Sequence, residues 1–120
     1  MLRSILVGMA IGVAGELAAH RLRLWVYRRS LYRILNVLLM FGLVMGSLAT
    51  FAGTLGLGAL FGIGFGVGLV YEILNLVLLD WWFFPGDRLY ALRGREACAL
   101  GVALAWGGVP VAVALARRFA

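Results

Sequence analysis

Four long apolar stretches, separated by polar or glycine-containing segments, constrain this chain more than any other feature. They cover residues 2–19, 31–52, 55–84 and 97–115. A helix of about 20 apolar residues crosses the roughly 30 Å hydrocarbon core of a bilayer, since each residue adds about 1.5 Å. The sequence therefore predicts an all-α integral membrane protein, in which residues 1–120 form a single transmembrane domain of four helices.

The composition agrees with a membrane protein and disagrees with a soluble one. Apolar residues make up 64% of the chain and charged residues 13%, whereas soluble domains average about 45–50% and about 25%. A soluble domain of this size buries only about two thirds of the surface that its unfolded chain exposes. In a soluble protein of this composition, too much apolar surface would face water. In a membrane the same surface contacts lipid.

The connection between the second and third stretches is very short. Only the region around Gly53 and Thr54 separates them. One continuous helix would be more than twice as long as the bilayer is thick. The sequence therefore predicts a tight hairpin, with helices two and three adjacent in an antiparallel bundle.

The basic residues, all eleven of them arginine, predict the orientation. The linkers at residues 20–33 and 85–96 carry eight arginines, and the segments near the two termini carry three. The positive-inside rule places both long linkers in the cytoplasm and both termini outside, in a plasma membrane of the bacterial type. A flipped or a mixed topology is the alternative.

The first linker mixes arginine with aromatic residues, a composition typical of the lipid headgroup layer. We expect its arginines to contact anionic headgroups, namely Arg21, Arg23, Arg28 and Arg29. A net charge of +6 also occurs in nucleic-acid-binding proteins. The arginines here flank apolar stretches, so we predict the lipid bilayer as the partner and no nucleic acid.

Glycine is concentrated in the third stretch. Small residues let helix backbones approach closely in lipid, where little hydrophobic force drives helices together. Two stripes are expected on opposite faces, Gly58, Gly62 and Gly66 on one and Gly64 and Gly68 on the other. A helix thinned on two faces suits packing between two neighbours, within the chain, in a homo-oligomer, or against other membrane subunits.

The glycine spacing of the third stretch resembles that of the glycine-rich helix in the rotor-ring c subunits of ATP synthases. Those subunits are two-helix hairpins that pack side by side in a ring, with their carboxylate on the other helix. Here Glu72 follows the glycines on the same helix. The resemblance is confined to this helix and implies a shared way of packing, not membership of that family.

Polar residues inside apolar stretches need a reason, because an ionisable group costs at least about 2.5–3.5 kcal/mol at mid-helix. We predict an intramembrane polar cluster of Glu16, Arg33, Asn36, Glu72 and Asn75. Residues 32–36 (YRILN) and 71–75 (YEILN) are similar. This echo predicts an ion pair between Arg33 and Glu72 and a hydrogen bond between Asn36 and Asn75.

Two functions are compatible with these features. The first is a packing or assembly subunit of a homo-oligomer or larger membrane complex. The alternative is a small oligomeric ion, proton or small-cation channel or transporter that uses Glu72 with Glu16. The polar cluster would also suit a lipid headgroup or a cofactor of a larger complex. No catalytic set, metal-ligand spacing or cofactor fingerprint stands out, so the sequence favours no enzyme and no particular cofactor.

Overall fold

The computed structural model describes residues 1–119, and side chains as far as residue 118. It contains four helices long and apolar enough to cross a membrane, which confirms the predicted number. Their bounds are Leu2–Leu22 (α1), Ser30–Phe51 (α2), Leu57–Leu79 (α3) and Arg95–Phe119 (α4). The outer surface is apolar, with Val77 79% and Leu78 74% exposed, so it is suited to contact with lipid.

The third helix is shorter than the apolar stretch that encodes it. It ends at Leu79, because Asp80 adopts the left-handed conformation with φ of 49°. The boundary predicted at residue 84 is therefore wrong. The aromatic residues beyond Asp80 are apolar but extended, and apolar character alone does not distinguish a helix from a buried strand.

The two long linkers meet at the same end of the molecule. Strand β1, Val26–Tyr27, pairs antiparallel with strand β2, Trp82–Phe83, so that Tyr27 lies opposite Trp82. Further along the second linker, Arg88–Leu89 (β3) and Leu92–Arg93 (β4) form a short hairpin. These strands bring aromatic side chains from both linkers over one end of the helices.

Two helices widen into π-helical segments at equivalent positions. The segment Asn36–Met45 lies within α2, and the segment Asn75–Leu79 ends α3. Each begins at the asparagine that closes one of the two similar sequence segments. Such π-helical turns are rare and often occur at functional sites, and here they adjoin the buried polar residues.

Close packing between α1 and α2 depends on glycine. A Cβ added at Gly8 would collide with the carbonyl oxygen of Phe41, and one at Gly46 would lie 2.7 Å from Ile5 Cα. A Cβ at Gly12 would lie 2.6 Å from the ring of Phe41. These positions have no room for a larger residue, so the two backbones approach as small-residue interfaces do in membranes.

The other close pair is α3 with α4. A Cβ at Gly64 would lie 2.7 Å from Pro110 Cγ, and one at Gly68 would collide with Trp106 Cβ. The turn Gly53–Leu55 joins α2 to α3, but these two helices approach each other at only a few residues. The predicted tight pairing of helices two and three is therefore wrong, because the matched small residues lie between α1 and α2 and between α3 and α4.

The second glycine stripe of α3 is open. A Cβ added at Gly58, Gly62 or Gly66 would meet nothing within 4 Å in the described part of the chain. Of the two predicted glycine faces, the one at Gly64 and Gly68 thus packs within the protein. The other points outward.

Candidate functional site: an aromatic cavity with two carboxylates

A cavity of about 210 Å³ lies between the helices near the end where the long linkers meet, and we call it the aromatic cavity. All four helices and both long linkers contribute to its wall. Glu16 is six positions before Leu22 and Glu72 is seven before Leu79, so both lie roughly 9–10 Å inside the helix ends. An apolar cavity of about 150 Å³ is enough to hold benzene, so this one has room for a small ligand.

Glu16 is buried on the α1 side of the aromatic cavity, with only 4% of its surface exposed. Its Oε1 accepts hydrogen bonds from the Tyr27 hydroxyl at 2.5 Å and from Asn36 Nδ2 at 2.9 Å. Its Oε2 accepts one from Trp25 Nε1 at 3.2 Å. Three donors converge on the carboxyl group, so both of its oxygens are hydrogen-bonded.

Asn36 extends this network from α1 to α3. Its Nδ2 also donates to the Tyr27 hydroxyl at 2.8 Å, and its Oδ1 accepts from the Tyr71 hydroxyl at 2.7 Å. Burial, and after it the neighbouring Glu16 carboxylate, raises the pKa of the Tyr27 hydroxyl far above its ordinary value, so Tyr27 remains a proton donor. The side-chain polar atoms of Glu16, Tyr27 and Asn36 are all engaged.

Glu72 contrasts with Glu16. It is 1% exposed, and its Oε1 accepts a hydrogen bond of 3.0 Å from Trp106 Nε1 on α4. Its Oε2 is buried and has no hydrogen-bond partner within 3.5 Å among the residues that the structure describes, although the Trp82 side chain also interacts with this carboxyl group. A buried acceptor without a partner costs about 1–3 kcal/mol, and more when it is charged. Glu72 is thus the incompletely satisfied polar group on the cavity wall.

Aromatic rings form a continuous chain beside the two carboxylates. The ring of Tyr27 lies 5.8 Å from that of Trp82, which lies 5.0 Å from Tyr71. Tyr71 lies 5.7 Å from Trp106, and Trp106 lies 4.6 Å from Phe41. All four separations fall in the favourable range for aromatic pairs. Except for Tyr71, these residues line the cavity.

The structure brings three of the five predicted cluster residues to the cavity wall: Glu16, Asn36 and Glu72. Asn75 is buried elsewhere and holds the second linker. Its Oδ1 accepts from the backbone N–H groups of Trp81 (2.7 Å) and Trp82 (3.3 Å), and its Nδ2 donates to the Trp82 carbonyl at 3.0 Å.

Arg33 lies outside the cavity. One of its guanidinium nitrogens is 3.5 Å from His20 Nδ1, and the guanidinium carbon is 5.3 Å from the ring centre of Tyr27. The predicted Arg33–Glu72 ion pair and Asn36–Asn75 hydrogen bond are therefore not formed. The reason is the helix pairing, because α3 turns Glu72 towards Trp106 of α4.

The arginines predicted to contact lipid headgroups divide into two groups. Arg21 and Arg23 line a surface pocket of about 680 Å³ at the linker end. Arg28 instead pairs with Asp80 at 3.3 Å and lies 4.3 Å above the ring of Phe83, while Arg29 lies 5.9 Å from the ring of Tyr32.

Sequence reasoning missed the aromatic part of the site. The tryptophan and tyrosine residues of the linkers are typical of the membrane interface, but in the structure Trp25, Tyr27 and Trp82 line the cavity. Trp106 carried a signal, because it lies in the middle of an apolar helix where its indole N–H needs an acceptor. In the structure that acceptor is Glu72.

Comparisons with known proteins provide no relative from which to transfer a function. No protein-family model, no curated protein and no solved structure matches this chain. Within the described residues, no group of three His, Cys, Asp or Glu side chains is placed to hold a metal ion. The geometry of the aromatic cavity therefore carries the functional conclusion.

Proposed function

We propose that this protein binds a small cation in the aromatic cavity and moves it across the membrane as a transporter or channel. One observation carries this proposal: the Glu72 carboxylate is buried on the cavity wall, and its Oε2 has no hydrogen-bond partner within 3.5 Å among the described residues. Ionisable residues inside membrane helices are costly and typically mark ion or substrate paths. A bound cation would supply a positive charge to neutralise the Glu72 carboxylate and a contact for its Oε2.

Glu16, on α1, supports the same proposal. Its carboxylate also borders the aromatic cavity, and it accepts hydrogen bonds from three donors. Opposite charges attract strongly where the effective dielectric constant is low. Two carboxylates beside one cavity would therefore favour a cation and disfavour an anion.

The proposed orientation follows from the arginines and the linker pairing. The end at which β1 and β2 meet carries eight of the eleven arginines. By the positive-inside rule this end faces the cytoplasm, and both termini lie outside. In an antiparallel bundle of this kind, within a bacterial-type plasma membrane, the cavity would lie in the cytoplasmic half of the bilayer.

Flux through reconstituted protein tests the proposal. Liposomes containing wild type, Glu72→Gln or Glu96→Gln would be compared for uptake of protons, Na⁺, K⁺ and tetramethylammonium. Glu96 is an exposed carboxylate at the start of α4 and serves as the matched control. We expect at least one cation to be taken up, with a rate at least tenfold lower in Glu72→Gln and unchanged in Glu96→Gln. Wild-type flux in Glu72→Gln, or no flux in wild type, contradicts the proposal.

A role in assembly is the second candidate, and the open glycine stripe favours it. Gly58, Gly62 and Gly66 give α3 a smooth outward face, of the kind that packs closely against another helix in lipid. A second copy or another membrane subunit would cover it, and Arg21 and Arg23 would contact anionic headgroups at the linker end of the helices. We expect Gly62→Leu to abolish cross-linked oligomers in membranes, whereas an outward Leu39→Ala leaves them. A wild-type monomer in native membranes rules this role out.

A further inference from the structure

The groups that form the wall of the aromatic cavity indicate what kind of cation it takes. Both oxygens of Glu16 accept hydrogen bonds, and the polar atoms of Asn36 and Tyr27 are engaged with each other, with Glu16 and with Tyr71. Among the described residues, the acceptor on the cavity wall without a hydrogen bond within 3.5 Å is Glu72 Oε2, which is itself buried. The rest of the wall is apolar side chain and aromatic ring.

A bare metal ion fits such a wall poorly. Ca²⁺ takes six to eight oxygen ligands, and Mg²⁺ requires six in an octahedron or keeps its own waters. The aromatic cavity offers one free carboxylate oxygen, so it replaces little of the hydration shell of an inorganic ion. An ion that carries its own apolar substituents has no such requirement.

Aromatic rings supply the complementary contact. Phe41, Trp82 and Trp106 line the cavity and are 8%, 5% and 4% exposed, so their rings are held by packing. The electron-rich ring face attracts a cation within about 6 Å of its centre, and tryptophan does so best. Ammonium ions bearing alkyl groups are bound in proteins by aromatic cages of this composition.

We infer that the aromatic cavity selects a small organic ammonium ion, whose alkyl groups contact the rings of Phe41, Trp82 and Trp106 and whose positive nitrogen lies beside Glu72 Oε2. This inference rests on the proposed function and specifies its substrate class. The volume of about 210 Å³ limits the ligand to a compact amine or quaternary ammonium ion. A polyaromatic cation would not fit.

Binding to purified protein in nanodiscs tests the substrate class. Equilibrium dialysis would measure choline, the isosteric neutral alcohol 3,3-dimethylbutan-1-ol, and Na⁺. Choline and the alcohol have the same shape and differ in charge. We expect saturable binding of choline, at least tenfold tighter than that of the alcohol, and little competition by Na⁺ at a hundredfold excess.

Ring substitutions separate a cation–ring contact from a purely structural role. Trp106→Leu removes the ring and is expected to weaken choline binding at least tenfold, whereas Trp106→Phe keeps a ring and retains most of it. Trp81→Leu is the matched control, because Trp81 stacks on Tyr32 in the linkers and does not line the cavity. If Trp106→Leu does not elute as a folded species, Phe41→Leu replaces it.

Each outcome has a distinct consequence. Equal binding of choline and the neutral alcohol overturns the inference, as does full choline affinity in Trp106→Leu or Phe41→Leu. Flux of Na⁺, K⁺ or protons that depends on Glu72, without choline binding, overturns the substrate class and leaves the proposed function standing. Absence of binding and flux for every cation overturns both.

Discussion

The Tyr71 hydroxyl donates a hydrogen bond of 2.7 Å to Asn36 Oδ1 and so ties α3, which packs mainly against α4, to α2. Both side chains are buried, with Tyr71 8% and Asn36 3% exposed. The bond thus links the two close helix pairs next to the aromatic cavity, where the two carboxylates must keep their positions.

Removing this hydroxyl is expected to weaken the contact between the helix pairs. Tyr71→Phe leaves Asn36 Oδ1 without its donor and should lower the free energy of unfolding by about 1 kcal/mol. Titration with denaturing detergent in mixed micelles measures the change. Tyr90→Phe is the control, since Tyr90 is 73% exposed, and it should change stability little. Equal effects in both variants would show that the Tyr71–Asn36 bond contributes nothing.

Glu16 is expected to stabilise the fold through its three donors. Glu16→Gln keeps the shape but places an N–H₂ group where one of the donors now points, so one buried donor loses its acceptor. A loss of about 1.5–3 kcal/mol follows, as for hydrogen bonds to charged groups. The same detergent titration checks it, with Glu96→Gln as an exposed control. An unchanged free energy of unfolding in Glu16→Gln would show that a carboxyl group is not required at this position for stability.

The glycines of α3 are expected to differ sharply in their tolerance of alanine. A Cβ at Gly68 collides with Trp106, whereas one at Gly66 meets nothing within 4 Å in the described residues. Gly68→Ala should cost about 1–3 kcal/mol through overpacking, and Gly66→Ala should be neutral or slightly stabilising in the monomer, since alanine favours helix more than glycine does. Melting temperatures of the two variants in detergent measure the contrast. Similar losses in both would contradict the observed pairing of α3 with α4.

Asn75 is expected to order the second linker. Asn75→Ala removes the acceptor for the Trp81 and Trp82 amides, so hydrogen exchange at these amides should be faster. Asn75→Asp retains an acceptor and should preserve slow exchange, although it loses the bond to the Trp82 carbonyl. Mass spectrometry of peptides covering residues 80–84 provides the measurement. Unchanged exchange in Asn75→Ala would show that the β1–β2 pairing alone holds the linker.

The number and approximate positions of the helices can be predicted from the sequence alone. The length of an apolar stretch is a local property, and a bilayer requires about 20 apolar residues for each crossing. The sequence also identified Glu16, Asn36 and Glu72 as residues that need a partner, since an ionisable or amide group in an apolar helix is costly wherever the helix packs. The glycine spacing also predicts the second glycine face of α3, and the short break predicts the turn at residues 53–54. Neither pattern shows which residues pack against these features.

The residues that contact these glycines and polar side chains depend on the tertiary structure. Whether Gly68 or Gly66 packs against a neighbour depends on which side α4 approaches, and that direction is not encoded in the spacing of glycines along one helix. Because α4 packs on this side of α3, Glu72 accepts a hydrogen bond from Trp106 and does not pair with Arg33. Asn75 instead accepts a hydrogen bond from the linker backbone. The aromatic cavity exists only because four helices and two linkers meet there. A pattern along one helix shows that a polar group needs a contact, whereas only packing between helices supplies one.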